Sequence, residues 1–599
     1  MGRVGVVWLG LVAWGLLAWG LEAAPEEDLV RDLPGLDGSM DVRMYSGYLR
    51  PTEHDHVHYL FVESEYTKTD PLVLWLNGGP GASSLMGAFT ELGPFIVNGE
   101  MSLMPNPFSW NKVANVLYLE SPTGVGFSYC DAMVNGQPCQ HNDTSTAELN
   151  FHSIMYFIEQ KFPEFKGRDF MIWGESYAGV YVPTLSKLVY EAGDALDLNF
   201  LGFGVGDPCT DDKTQTFTRH LNFNFEFAMG KGFVDAENHK YIRDNCIASD
   251  VNGIITPNET TSACRAAWRM YYLGTSGGDG NGPYAKLPHG GFIDPYNSWG
   301  PNNNDFWEML AKYLADDEVM KALNVESYPL RPWSLFADHL TYTRQYWACY
   351  FDGETPGEPY YNSSMIEIYQ ELAGNVRNIV VYNGDTDPSV QMRGTEAAVD
   401  AMGFDIARGG EWRPWFFQPE ETSSRLLEEK LPYFGTFLNY KKINSQLGGY
   451  VKNFDGNVSF VTVHDSGHMV PQYKPVAAFH LFVRGLLNKP LSPPINMTEV
   501  ADLSDAAFYG SANSDAMGMM GDWVEEAMSK EYTSSGEYEA RKGERKVSEG
   551  AKEKPSYASR KVMRPKPPRK FAPRPELDSL KKHEVKELLK DLQGYYEAM

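Results

Sequence analysis

A short apolar strand that runs into a glycine-flanked serine constrains this chain more than any other feature. Phe170 to Trp173 reads as buried strand, Gly174-Glu175-Ser176-Tyr177-Ala178-Gly179 as a sharp turn, and Leu185, Leu188 and Val189 as one side of a helix. Gly-x-Ser-x-Gly between strand and helix sets the serine on a strained turn. Its hydroxyl then stands above the sheet, at the N-terminus of the following helix. The pattern alone is common by chance, so its placement after a buried strand carries the weight.

Similar units recur. Leu72 to Leu76 ends in Asn77-Gly78-Gly79-Pro80-Gly81, and Val116 to Leu119 reads as another strand. Later, Ile379 to Tyr382 precedes Asn383-Gly384-Asp385, and Phe460 to Val463 precedes His464 to His468. Strands alternating with helical stretches predict a mostly parallel central sheet with helices on both faces. From about Cys209 to Cys349 the chain is rich in Gly, Asn and aromatics and holds four of the six cysteines. This stretch reads as an inserted cap, the kind of segment that shapes a pocket over a sheet.

A serine hydroxyl needs a base. On an α/β-hydrolase sheet the order is Ser, then Asp or Glu, then His, with the later members on loops after later strands. His468 lies in such a loop, whereas His464 would sit at the strand end, where a histidine is more often structural. Asp385 and Asp387 both follow a strand. Asp385 is placed to cap the turn, and Asp387 is better placed to reach an imidazole. Two backbone amides, that of Tyr177 and one from Gly78-Gly79, would receive a developing oxyanion. Gly-Gly-Pro-Gly-Ala-Ser-Ser lacks the lysine of a phosphate loop.

LVLWLNGGPGASS, ELGPF, NPFSWNKVANVLYLESPTGVGFSY, IWGESYAGVYVP, VVYNGDTD and HDSGHMVPQYKP occur in this order. Together they resemble the serine carboxypeptidases from about Tyr45 to Leu487. The resemblance implies an α/β-hydrolase fold and removal of C-terminal residues from peptides and proteins, usually at acidic pH. It implies Ser176 as nucleophile, His468 as base then acid, Asp387 as the residue orienting it, and Gly79 and Tyr177 as oxyanion donors. Asn77 and Glu175 would hold the substrate carboxylate, with Glu91 in the same network, and Met469 would line the leaving-residue side. No metal or organic cofactor is expected. Acyl transfer on the same scaffold and a non-catalytic protective or binding protein stay open as alternatives, as does a homodimer. Asp465 stands where many relatives carry a small residue, bringing an extra carboxylate near His468.

The ends differ from the body. Residues 1–24 read as a secretory signal, with Arg3 ahead of an uncharged apolar run from Val4 to Leu21 and small residues at Ala23 and Ala24. An uncleaved anchor is the alternative. The body is residues 25–494. Residues 495–599 read as a low-complexity, largely disordered tail, with a terminal helix at 576–593 as one option. The tail is basic from about 541, with 17 Lys and Arg against 9 Asp and Glu, whereas residues 1–540 carry 35 against 70. The net charge of −27 argues against general nucleic-acid binding. Behind a signal, six cysteines predict disulfides. Short loops favour Cys130–Cys139 and Cys246–Cys264, leaving Cys209 with Cys349. Asn142, Asn258, Asn362, Asn457 and Asn496 are sequons. A secreted or vacuole/lysosome-type destination follows. His54, His56 and His58 alternate, as on an exposed strand face.

Overall fold

The computed structural model describes residues 24–534, apart from 39, 68, 99–100, 216–221, 250–254, 276–292, 302–304, 328, 330–331, 347, 349–363, 419–444 and 496–513. The signal, Cys349, Asn362, Asn496 and the 576–593 helix lie outside the described residues. Among the described residues no helix is long and apolar enough to cross a membrane.

The main sheet is built from β1 (Leu29–Val30), β2 (Met44–Leu49), β3 (Asp55–Val62), β4 (Leu72–Leu76), β5 (Asn115–Leu119), β6 (Asp169–Glu175), β7 (Asn199–Gly206), β8 (Asn378–Gly384), β9 (Arg413–Phe417), β10 (Gln446–Phe454) and β11 (Val458–Val463). Their spatial order is β1-β2-β3-β5-β4-β6-β7-β8-β11-β10-β9. From β5 through β11 the pairs are parallel, and antiparallel strands flank this centre on both sides. The fold is the mostly parallel α/β sheet that the strand pattern predicts.

Successive residues of a strand face opposite sides, which explains why the central strands are apolar throughout. In β4, Leu72, Leu74 and Leu76 join one hydrophobic layer with helix Ala178–Ala192, while Val73 and Trp75 join the other with helix Pro475–Leu486. In β6, Phe170 and Ile172 face the first layer and Met171 and Trp173 the second.

Between β7 and β8 the chain leaves the sheet. It forms helices Ala236–Asn245 and Ser262–Thr275, joined by the Cys246–Cys264 disulfide around a small separate core with Trp268 and Tyr271. Cys130–Cys139 closes the other local loop, and Cys209 is also disulfide-bonded.

Two expectations need correction. His58 is not on an exposed face: β3 carries it into the interior, fully buried between Ser46 Oγ at 3.1 Å and Glu120 at 3.0 Å. His56 stacks on Tyr129, and His54 bonds Asp131. The tail also keeps structure past 495. Helix Ser514–Ala527 leads to a turn at Lys530–Thr533, where Thr533 O accepts from Gln418 N at 3.0 Å and Arg484 donates to Glu531 O. This segment covers β9, an edge strand whose unpaired backbone groups need a partner.

Candidate active site

In a parallel sheet every strand ends on the same rim, so residues following β4, β6, β7, β8 and β11 meet there. Ser176 follows β6 directly. Its φ is 62°, a left-handed conformation that costs an L-residue energy and that a tight turn imposes. Backbone bonds hold it: Ser176 N donates to Gly206 O at 2.9 Å, and Cys209 N donates to Ser176 O at 2.9 Å. Gly78 lies against the turn. A Cβ there would meet Tyr177 N, Glu175 O at 2.8 Å and Ser176 Cβ at 2.9 Å. Only glycine lets the Asn77-Gly78-Gly79 loop approach this closely.

Asp387 follows β8 and His468 follows β11. Asp387 Oδ2 accepts from His468 Nδ1 at 2.6 Å, and both side chains are buried. The two loops are tied by Thr386 N to Ser466 O at 2.9 Å. Asp387 is fixed by Ser389 N at 2.7 Å and Val390 N at 3.1 Å. Asp385 instead takes His464 Nδ1 and Asp465 N, each at 2.8 Å, so it ties the loop after β8 to the loop after β11. Asp465 pairs with Lys474 at 3.5 Å.

A second carboxyl group lies next to the pair. Asp207 follows β7 and is fully buried. Its Oδ1 accepts from Asn383 Nδ2 at 2.8 Å and Gly384 N at 2.9 Å. Burial, reinforced by Asp387, raises its pKa well above the ordinary carboxyl range.

Beside Ser176 in the sequence, Glu175 Oε1 accepts from Asn77 Nδ2 at 2.8 Å, and the same Nδ2 donates to Glu91 Oε1 at 3.2 Å. Asn77 Oδ1 is occupied by Trp75 Nε1 at 2.8 Å and Gly87 N at 3.1 Å, which fixes the amide orientation. Both glutamates are buried, with Oε2 of each unpartnered in the protein. Burial pushes Glu91 up to about 7, and burial with the neighbouring Glu91 charge raises Glu175 well above its usual value. Two carboxyl groups in contact cannot both ionise cheaply, so at least one of them keeps its proton.

The Gly79 and Tyr177 amides donate to no loop or cap carbonyl among the described residues. Tyr177 is anchored through its hydroxyl to buried Asp143 at 2.8 Å. Asp143 also gathers Tyr342 Oη at 2.8 Å and Gln345 N at 2.5 Å, linking the turn to the inserted region. From the same region Tyr296 O accepts His468 N at 2.8 Å and Ser298 N donates to Thr386 O at 3.0 Å. Met469 is buried in the hydrophobic layer beside helix Pro475–Leu486. The sequons Asn142, Asn258 and Asn457 lie at or near the surface.

Asp207, Asp143 and Tyr296 escape the sequence reading. Asp207 carried a signal: it directly follows a parallel strand beside the serine strand. That strand, Leu-Gly-Phe-Gly-Val-Gly, is glycine-rich and does not stand out as apolar.

A parallel sheet with a strained serine, an imidazole–carboxylate pair and open amides on one rim belongs to the α/β-hydrolase class. Within it, the family described as serine carboxypeptidase matches residues 34–488, and the chain belongs to that family. It is 32% identical over 515 residues to the lysosomal protective protein of Mus musculus, covering 78% of this chain and 95% of that one. It is 31% identical over 490 residues to serine carboxypeptidase-like 36 of Arabidopsis thaliana, covering 78% and 87%. A prohormone-processing carboxypeptidase of Saccharomyces cerevisiae, Kex1Δp, shares the fold at 20% identity, TM-score 0.54, over 77% of this chain and 95% of that chain.

Proposed function

We propose that the protein is a serine-type carboxypeptidase of the secretory route, delivered to the exterior or to a vacuole- or lysosome-type compartment. It releases C-terminal residues from peptides and proteins at acidic pH. The observation that carries this reading is the buried Asn77–Glu175–Glu91 cluster next to the nucleophile. An esterase or amidase has no use for an amide and two proton-sharing carboxyls there. A free substrate carboxylate can accept from the acid proton of Glu175, and from Asn77 Nδ2 once it displaces one of the two glutamates from that amide.

With the substrate so held, Ser176 Oγ attacks the last peptide carbonyl as its proton passes to His468 Nε2. The resulting oxyanion accepts from the Gly79 and Tyr177 amides; losing one such donor typically costs ~3–4 kcal/mol. Asp387 holds the imidazole and balances its positive charge. His468 then protonates the departing amine, and water, deprotonated by the same ring, releases the acyl group.

The test is hydrolysis of an N-blocked dipeptide at about pH 5, where the shared proton is present, beside its C-terminally amidated twin and a Ser176→Ala control. Cleavage of the free acid, far weaker cleavage of the amide and an inactive variant are expected. Equal cleavage of acid and amide would refute the carboxylate clamp. Labelling of Ser176 by a fluorophosphonate without any cleavage would favour transfer to an alcohol acceptor over hydrolysis.

A further inference from the structure

The mechanism above leaves one buried acid without a task. Asp207, at the end of β7, has Asp387, Glu175, Tyr382, Asn383 and Gly384 as neighbours, with His468 in the same cluster. Ligand atoms of Asp207, Asp387 and His468 all lie within 4.8 Å of one another. Two carboxyl groups this close and this buried carry one proton between them.

The hydrogen bonds decide where that proton sits. Asp387 accepts three N–H donors: Ser389 N, Val390 N and His468 Nδ1. Asp207 accepts two, both on Oδ1, and its Oδ2 has no donor. Donors stabilise the charged form, so Asp387 is the carboxylate. The proton belongs on Asp207 Oδ2, the oxygen that no N–H serves. Burial of Asp207 favours the same neutral form.

We propose that Asp207 is a positioning residue of the catalytic centre, a neutral acid whose Oδ2–H donates to the Asp387 carboxylate and so fixes and weakens the negative charge that His468 feels. This rests on the triad reading given above. The consequence is functional. His468 accepts the Ser176 proton only when its ring is neutral, and a strongly charged Asp387 would favour the protonated ring. An acid donated to Asp387 reduces that bias and keeps the base available at lower pH, where the carboxylate clamp works best.

The test is the pH profile of Ser176 labelling by a fluorophosphonate, in the native protein, Asp207→Asn and Asp207→Ala, each checked by thermal melting. Labelling needs Ser176 and His468 but no peptide carboxylate, so it is independent of the substrate assignment. Asn keeps a neutral donor of the same shape, and its acid limb should coincide with the native one. Ala removes the donor, and its acid limb should move up by about one pH unit, a roughly tenfold slower reaction at pH 5. A downward shift in Asp207→Asn would mean that Asp207 is ionised in the native protein and would overturn the proposal. So would an unmoved limb in Asp207→Ala with only a lower melting temperature. If Asp207→Ala does not fold, the limb position of Asp207→Asn decides alone. A native protein that is not labelled would remove the nucleophile assignment and this proposal with it. Labelling without peptide cleavage would touch only the substrate assignment and leaves the comparison intact.

Discussion

Replacing Glu175 by Gln separates the carboxylate clamp from the triad. The side chain keeps its length, and its amide still donates, but it no longer carries a titrating proton. In the native protein the limiting group is Glu91, pushed up to about 7 by burial. Below that pH Glu91 is neutral, and the Glu175 acid proton is free to bond a substrate carboxylate. Above it, ionised Glu91 competes for that proton, and the ionised substrate is repelled. The substrate carboxylate itself titrates near 3.5 and stays charged throughout. Native KM should therefore be flat from pH 5 to 6 and rise about tenfold per pH unit beyond 7, about 1.4 kcal/mol for each unit. In Glu175→Gln it should change less than about threefold from pH 5 to 8, because the donor cannot be lost. The assay is steady-state hydrolysis of the N-blocked dipeptide, with KM and kcat fitted separately at each pH. The triad remains intact, so kcat keeps its native pH dependence. A variant KM that climbs in parallel with the native value would refute the shared-proton clamp.

Two further outcomes follow from the same geometry. Glu91, Glu175 and Asp207 all have raised pKa values in the folded protein. Their stabilisation is complete below the unfolded carboxyl range and is lost as pH rises through the folded values. For Glu91, between 4.5 unfolded and about 7 folded, this amounts to about 3 kcal/mol. Calorimetry should give a melting temperature lower at pH 8 than at pH 5 by several degrees; an equal or higher value at pH 8 would show that these carboxyls are not neutral. Gly78→Ala presses a methyl group onto Glu175 O and Ser176 Cβ. It should cost ~1–3 kcal/mol of stability and slow fluorophosphonate labelling at least tenfold, whereas near-native labelling would mean that the loop moves aside freely.

The parts of the site that sit at strand ends were legible because two constraints coincide there. A buried strand shows as an apolar run, and the turn after it needs glycine or a polar residue of fixed type. That is why Phe170 to Ser176, Leu72 to Gly79 and Phe460 to His468 could be placed from residues alone. Choosing Asp387 over Asp385 also followed from position, since the first residue past a strand is taken up by backbone close to the sheet, as Asp385 is by Asp465 N at the end of the neighbouring strand β11. What stayed hidden depends on pairings between distant segments. Nothing local to Asp143 marks it as the anchor of Tyr177, and nothing near Tyr296 marks it as the acceptor for His468 N. His58 sits in an alternating polar pattern that looks solvent-facing, yet Glu120, far along the chain, gives it a buried partner. The docked turn at Lys530–Thr533 escapes for a similar reason: its backbone meets Gln418, just past β9, and it brings very little apolar side chain.

The acidity of the whole chain and the acidity of its site are separate matters. The surplus of carboxylates in residues 1–540 is a property of many side chains, most of them exposed and screened within about 10 Å by ordinary salt. It affects solubility and encounter and has little hold on the reaction. Two buried carboxyl pairs, Glu175 with Glu91 and Asp207 with Asp387, lie near the serine turn. On the proposed reading, a retained proton in the first pair makes room for a substrate anion, and in the second it leaves a single charge to face the imidazole. Both pairs lie out of water, where a charge is not screened and one proton changes the local field most. A change in salt should therefore move the rate far less than a change of one pH unit near neutrality. On the proposed reading the acid preference rests on four buried carboxyls, Glu175, Asp207 and Asp387 at strand ends and Glu91 at a helix end, and not on the charge of the surface.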